Sequence, residues 1–474
     1  MNYLSTAKEA WEGMADIRSR RSRLKRFTYG RQWDDLVKNP ETGEVMTEKE
    51  LITREGRAPL TNNLLRQLVK SIIGRYRNIS DFDNGDVDKS LSDLYLAHGL
   101  TELDSRLLEE YLISGIAVQR MGTDAYSRGK NFPLVENVSP QRVFFKPPAD
   151  PRCTDMRLIG ALHDYTPQEV AMKWGGDRRD DVLCLLKKLQ NMSADGYGSG
   201  QYASPASFEG TPAGLVRVIE VWSKECCEYY TVHDPENATI YNINVAGDAS
   251  ARLEDENMAR AGKKRPKLRS LWHLGEKWTG RWYLADGTLL DKVALPLDAE
   301  QPFLLKLYPL IDGEVHSLVE DVIDQQKYVN RLINLLDRMM ATTAKGALLF
   351  PVDAVPDGFR PEDVARQWSA VDGVVLYRSA PNRPEPRQLH NSVGDIGAKD
   401  LLKIQMQLFQ DISGVGDALA GRNLPSNVGA QRYSMEVENA SVALKDVIDS
   451  FSSLITQRNV RLLKYAENMK LKST

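Results

Sequence analysis

Apolar residues recur at Val315, Leu318, Val319, Val322, Val329, Leu332, Ile333, Leu336 and Met340. Steps of three and four place them on one face, so the spacing predicts a helical run over 314–346. An apolar, proline-bearing segment follows, ALLFPVDAVPDGF, and RPEDVARQWSA then reads as a second, returning helix. A long helix, a tight tip and a returning helix make a stalk, and the rest of the chain is read around it.

Upstream, residues 5–32 read as a polar helix, and 33–59 as polar and irregular. Leu60-Thr61-Asn62-Asn63 caps a helix with apolar positions Leu64, Leu65, Leu68, Ile72 and Ile73. A helix is predicted over 88–116, broken at Ser114-Gly115, with a strand over 117–121. PLVENVSPQRVFFKPPAD reads as strand, turn, strand, and ALHDYTPQEVAMKWG as a strand followed by a helix with Thr166 at the N-cap and Pro167 at the first helical position. Residues 190–213 are rich in Gly, Ser, Ala and Pro and read as a linker.

From Leu215 to Pro296 the pattern shifts to β-branched and aromatic residues with partial alternation. A turn is predicted at 233–237 and a hairpin around Ala285-Asp286-Gly287. The charged run 251–267 reads as helix or loop. Beyond the stalk come a strand at GVVLYRS, a proline-rich extended loop at SAPNRPEPRQLHNSVG and a helix at KDLLKIQMQLFQDISG. A long amphipathic helix is predicted from about 431 to about 469. The fold class is therefore α+β, mostly helical, with a β-rich part at about 215–300.

Composition adds limits. At 474 residues the chain needs two or three subdomains. With 42% hydrophobic and 27% charged residues it has a globular make-up. A formal net charge of -3 argues against coating nucleic acid through bulk positive charge, but allows a local basic patch. Such patches exist: Arg18, Arg20, Arg21, Arg23, Lys25, Arg26 and Arg31 crowd the first helix. Lys327, Arg331, Arg338 and Lys345 are spaced to form one basic stripe on the stalk helix. Cys153, Cys184, Cys226 and Cys227 show no CxxC spacing and are expected to be reduced thiols of an intracellular protein. The N-terminus has no apolar signal region and no run approaches a membrane span, so no membrane partner is expected.

Catalytic patterns are missing. Gly416 to Gly421 matches GxxxxG, but Arg422-Asn423 stands where a phosphate loop needs Lys and Ser or Thr, and the segment follows a helix rather than a strand. The six histidines lack metal or triad spacing. Glu320, Asp321 and Asp324 cluster at the start of the stalk helix, where they complement its dipole. No catalytic, cofactor-binding or metal-binding residues are expected, and the chain is read as no enzyme.

EDVIDQQKYVNRLINLLDRMMATTAKGALLFPVDAVPDGF, with its D-x-Q…N register at Asp324, Gln326 and Asn330, resembles the stem helix and clip of the portal protein family of tailed bacteriophages, most closely that of short-tailed enteric phages. EEYLISGIAVQRMG resembles that family's helix-to-strand junction. The strand and helix around Asp150, Asp155 and Arg157, and the helix, glycine turn and long helix from Met406 to Leu463, are similar to family segments in the same order. The resemblance covers about 60–474.

It implies a wing at 1–313, a stem helix at 314–345 and a clip at 346–361. It further implies a returning stem helix and strand at 362–378, a channel loop and helix with the wing return at 379–432, and a C-terminal helix at 433–474. The family's best-known member continues into a long helical barrel; with this sequence ending at Thr474, only a short crown is expected. The implied function is a homo-oligomeric ring of twelve subunits at one capsid vertex, a channel for packaging and ejection of double-stranded viral DNA. The implied partners are the terminase large subunit, the major capsid or scaffolding protein and a tail adaptor. The implied location is the virion, with assembly in the host cytoplasm.

Channel candidates are Lys327, Arg331, Arg338 and Lys345, with Gln405, Gln407 and Gln410 as uncharged candidates at the narrowest point. Docking candidates in the clip are Phe350, Val352, Asp353, Val355, Asp357 and Phe359. The alternatives are a nucleic-acid-processing enzyme with a degenerate nucleotide site at Gly416–Gly421, or a capsid or tail structural protein without a channel. The stripe itself allows either pore lining or pairing with a neighbouring subunit's acids.

Overall fold

Alternation and β-branching over 215–296 yield one dominant antiparallel sheet. Its strands run in the order Leu289–Ala294, Arg269–Leu284, Val216–Asp234, Leu158–Tyr165, Val143–Phe145. The computed structural model describes all residues except 1, 41, 55–56, 84–88, 125–131, 177, 193–206, 245–248, 298, 346, 356–357, 370–376, 378–384, 390–396, 416–441, 443 and 474. The chain forms two compact units. The first comprises Met1–Lys25, Val69–Glu320 and Ser441–Thr474; the second comprises Arg26–Leu68 and Asp321–Ala440.

In the first unit the strand Val216–Asp234 is central. Its early half pairs with Leu158–Tyr165 on one side and with Arg269–Leu284 on the other, and Val216 to Ser223 are all buried. Burial on both faces suits its apolar residues, and the buried Arg217 and Glu220 among them are each paired with an opposite charge. Further along, Thr239–Asn244 becomes the neighbour, making a three-stranded ribbon. The core joins Phe144, Phe145, Ile159, Ile219 and Trp222 to Ala7 and Trp11 of the helix Tyr3–Gly13. Gly160 is required in this core, because a Cβ there would collide with the Glu220 carbonyl oxygen and the Phe144 ring. A second sheet, Phe303–Leu307, Ile116–Asp124 and Phe132–Asn137, adds Val118, Phe303 and Leu305 to the same core.

Several boundaries depart from the periodicity. Residues 5–32 are two helices, Tyr3–Gly13 and Ala15–Thr28, with Met14 between them. The predicted 88–116 helix is two, Lys89–His98 and Leu100–Ser114, because Gly99 takes φ +60. The break at Gly115 stands: it caps the second helix in the left-handed conformation. Arg179–Met192, inside the segment next to the linker, is a helix. Glu314–Val315 is not helical but pairs with Pro309–Ile311. The stalk helix starts at Leu318, where the Ser317 hydroxyl accepts the Glu320 amide at 3.2 Å. The C-terminal helix is described over Lys445–Ser473; its expected start near 431 lies outside the described residues.

In the second unit, residues 33–59 are not irregular: Leu36–Lys38 pairs with Val45–Thr47, and a helix follows over Glu48–Arg54. Three-residue strands carry too few positions for alternation to show. Most of the 28-residue helix Leu318–Lys345 belongs here. So do the helices Pro361–Ser369 and Ala398–Ser413. The proline-rich loop holds one strand, Arg387–Leu389, which pairs with Ala347–Leu349 at the tip of the stalk. The predicted strand at GVVLYRS lies outside the described residues except Tyr377.

Candidate functional site

The helix Leu318–Lys345 carries two different polar rows. The first is the basic stripe. Lys327 Nζ is 2.9 Å from the Asp35 carboxylate and 5.1 Å from the centre of the Phe27 ring. Arg26 shares the same carboxylate at 3.3 Å. Arg331 pairs with Glu48 at 3.1 Å, the first residue of the helix Glu48–Arg54. The acids that meet these two cations therefore belong to the same chain. Arg338 is exposed and carries an interaction of its own, and the side chain of Lys345 lies outside the described residues.

The second row is Gln326, Asn330 and Asn334, spaced four apart and so stacked along one face. Gln326 Oε1 accepts the amides of Leu64 at 2.9 Å and Leu65 at 3.2 Å, while Gln326 Nε2 donates to the Asn62 carbonyl at 2.6 Å. Asn330 Oδ1 accepts the Asn62 amide at 3.0 Å, and Asn330 Nδ2 donates to Gln32 Oε1. Asn334 Oδ1 accepts the Leu60 amide at 2.9 Å, and Asn334 Nδ2 donates to the Leu60 carbonyl at 3.2 Å. Three amide side chains thus serve an extended backbone as the edge of a strand would. They leave the first amides of the helix Leu64–Asp83 satisfied. Asn63 adds the cap: its Oδ1 accepts the Arg66 amide at 3.0 Å. Gln326 and Asn330 are buried, which polar side chains tolerate only when fully bonded.

Of this clamp, the sequence offered the D-x-Q…N register but not its role. The signal was three amides at four-residue steps, Gln326, Asn330 and Asn334, on an amphipathic helix.

At the tip, Val352 and Phe359 are exposed and Phe350 and Val355 half-buried. The side chains of Asp353 and Asp357 lie outside the described residues. A single helical turn over Val352–Ala354 follows Pro351. Gln405, Gln407 and Gln410 lie on the helix Ala398–Ser413; Gln407 is exposed and the other two are half-buried. The same helix exposes an apolar row, Leu401, Ile404, Leu408 and Ile412.

In the first unit, buried charge is consumed by pairing. Glu220, fully buried, accepts Arg120 Nε at 3.0 Å, His163 Nε2 lies 2.8 Å away, and Trp222 Nε1 donates at 2.9 Å. Burial alone would raise the Glu220 carboxyl, but the Arg120 guanidinium and these hydrogen bonds hold it well below the usual carboxylate range. Asp164 is bonded by both Arg217 and Arg142. Asp150 and Asp155 knot a loop: Asp155 accepts the Ala149 amide at 2.7 Å, and Asp150 the Arg152 amide at 2.9 Å. The four cysteines are unbonded to one another, and burial pushes the Cys153 thiol up to about 11. Among the described residues no three His, Cys, Asp or Glu converge as a metal site. Nor is any described helix long and apolar enough to cross a membrane. The glycine segment at Gly416–Asn423 lies outside the described residues.

A family model described as "Phage P22-like portal protein" matches residues 101–468, a span that contains the whole Leu318–Lys345 helix and the sheet. No curated protein sequence matches the chain.

Proposed function

The chain belongs to the family of phage P22-like portal proteins, and on that premise we propose that it forms the ring-shaped channel through which the terminase motor packages double-stranded viral DNA and through which the DNA later leaves. Membership makes it a structural portal protein of the virion, a head–tail connector. The ring has twelve copies in this reading. It assembles in the host cytoplasm with major capsid or scaffolding protein, engages the terminase large subunit, and later docks a tail adaptor. It performs no chemistry of its own. The observation that carries the reading is the family match across 101–468.

The channel is assigned to the face of the 318–345 helix that bears Lys327, Arg331, Arg338 and Lys345, with Gln405, Gln407 and Gln410 at the constriction. Repetition around an axis turns each side chain into a ring, and rings of cations attract phosphate without regard to sequence. DNA must also slide. Asp35 and Glu48 temper the Lys327 and Arg331 rings, which suits passage better than grip. The apolar row Leu401, Ile404, Leu408 and Ile412 suits contact between copies. The tip residues Phe350, Val352, Asp353, Val355, Asp357 and Phe359 are assigned to docking.

Mass measurement in solution tests the ring: a particle near twelve times 53.3 kDa is expected. A stable monomer with ATPase activity would sink the proposal in favour of the enzyme reading.

A further inference from the structure

The three-stranded ribbon ends in a surface that neither the core nor the channel reading uses. Its helix, Ala249–Gly262, packs on one face through Leu253, Leu268 and Val232, backed by Tyr230 and Ile243. The ribbon is thus firmly supported. On its outer edge the strand Arg269–Leu284 is met by Leu289–Ala294 only over Thr279 to Tyr283. Among the described residues no strand pairs with the edge from Arg269 to Lys277. That edge exposes Leu271 (63%), Trp272 (51%) and Leu274 (62%). An open apolar edge presents unpaired backbone donors and acceptors, and it is a template for another strand.

Basic side chains crowd the approach to this edge, although the edge itself also carries Glu276, which lies 3.5 Å from Arg157. Lys263, Lys264, Lys267 and Arg269 are exposed, and none has an ion-pair partner among the described residues. Several nearby acids are already engaged: Arg260 holds Asp234 at 2.9 Å and Glu256 at 3.2 Å, Arg265 lies 3.6 Å from Glu236, and Glu228 accepts Trp272 Nε1 at 3.3 Å, while Glu254 and Asp255 are exposed on the supporting helix. Four uncompensated cations within seven residues stand out in a chain of net charge -3.

We propose that the edge 269–277, with Lys263, Lys264, Lys267 and Arg269, is a docking site for an extended acidic segment of a partner protein, added as a further strand. Main-chain hydrogen bonds supply affinity in such additions, and alternate side chains supply selectivity. Acidic side chains on one face would meet the cations, and apolar ones on the other would cover Trp272 and Leu274, which share a face of the strand. A duplex DNA would use the cations but has no use for an open strand edge or for the apolar side chains. The site does not depend on the channel reading.

The test uses the full-length protein and a fluorescent peptide of alternating Asp and Val, as long as the edge. Binding is expected, with new protection of amides in 269–277 against hydrogen exchange. A peptide of equal charge interrupted by prolines, which cannot pair as a strand, should bind at least about tenfold more weakly. The combined Lys263→Glu, Lys264→Glu, Lys267→Glu and Arg269→Glu variant, folded by circular dichroism, should lose binding by about tenfold or more; a misfolded one leaves the proline comparison to decide. No binding of the alternating peptide overturns the proposal. Equal binding of the proline peptide reduces the site to a charge patch and overturns strand addition. Displacement of the peptide by duplex DNA at equal charge overturns the protein partner.

Discussion

Lys327 Nζ stands 2.9 Å from the Asp35 carboxylate, with the two side chains only 22% and 16% exposed. The pair is too sheltered to be a solvated surface contact, so its coupling should sit at the upper end for such pairs. A double-mutant cycle with Lys327→Met and Asp35→Asn should give about 1 kcal/mol, read from denaturant midpoints at fixed protein concentration. Asp35→Asn also frees the cation. If Lys327 lines a channel, DNA retained by purified rings should become more salt-sensitive in this variant. Retention that follows the wild-type salt curve would remove Lys327 from the channel.

Gln326 should matter more to the fold than any cation on the same helix. Gln326→Leu strands the buried Leu65 amide and leaves the Leu64 amide and the Asn62 carbonyl with only each other, at 3.1 Å. The expected cost is about 2–3 kcal/mol, the scale of stranded buried polar groups. Asn334→Ala removes comparable bonds where solvent can replace them, and should cost under about 1 kcal/mol. Equal losses for the two variants would refute the clamp as the reason for conserving stability here.

The Glu220 cluster sets an acid limit. A carboxylate held below its unfolded value stabilises the fold at every pH above that value, about 4.3, and loses the contribution as pH falls towards the folded one. Glu220 is held down by Arg120, against burial. Stability should therefore be flat in this group above about pH 5 and decline below about pH 4. Glu220→Gln strands the Arg120 charge and should cost about 3–5 kcal/mol at neutral pH. It should also flatten the acid limb of unfolding midpoints measured between pH 3 and 7. A variant with an unchanged acid limb would show that Glu220 is not what titrates.

Local signals were legible where one residue type answers one backbone need. Thr166 accepts the Glu169 amide while Glu169 reaches back to Thr166, the capping box that Thr-Pro-x-Glu announces. The 285–287 hairpin and the Gly115 cap were equally plain. Gly99 was missed because the apolar rhythm runs straight across it from Leu96 to Leu100. The clamp was missed for a different reason. Gln326 and Leu64 are 262 positions apart, and a polar side chain bonding a distant backbone leaves no periodic trace. The stripe itself was visible, but its partner Asp35 lies just before a three-residue strand and its partner Glu48 opens a seven-residue helix, elements too short to show a pattern.

The C-terminal helix Lys445–Ser473 packs through Phe451, Leu454 and Leu462 and carries one fully buried cation. Arg458 is fully buried, bonds the Asp104 carboxylate with both terminal nitrogens, and donates to the Tyr95 hydroxyl at 2.7 Å. Burial pushes the Asp104 carboxyl up and Arg458 offsets only part of that, so the pair is costly to build and costlier to break. Arg458→Ala should lose about 3–5 kcal/mol, because Asp104 is left buried and uncompensated. Replacing both partners, Arg458→Met with Asp104→Leu, should restore most of that loss, since two apolar groups need no desolvated charge. Hydrogen exchange across 445–473 distinguishes the cases: the single variant should unprotect the helix, and the double should protect it again. If the double variant stays as open as the single, the hydrogen bonds to Tyr95, and not the charge pair, hold the helix in place.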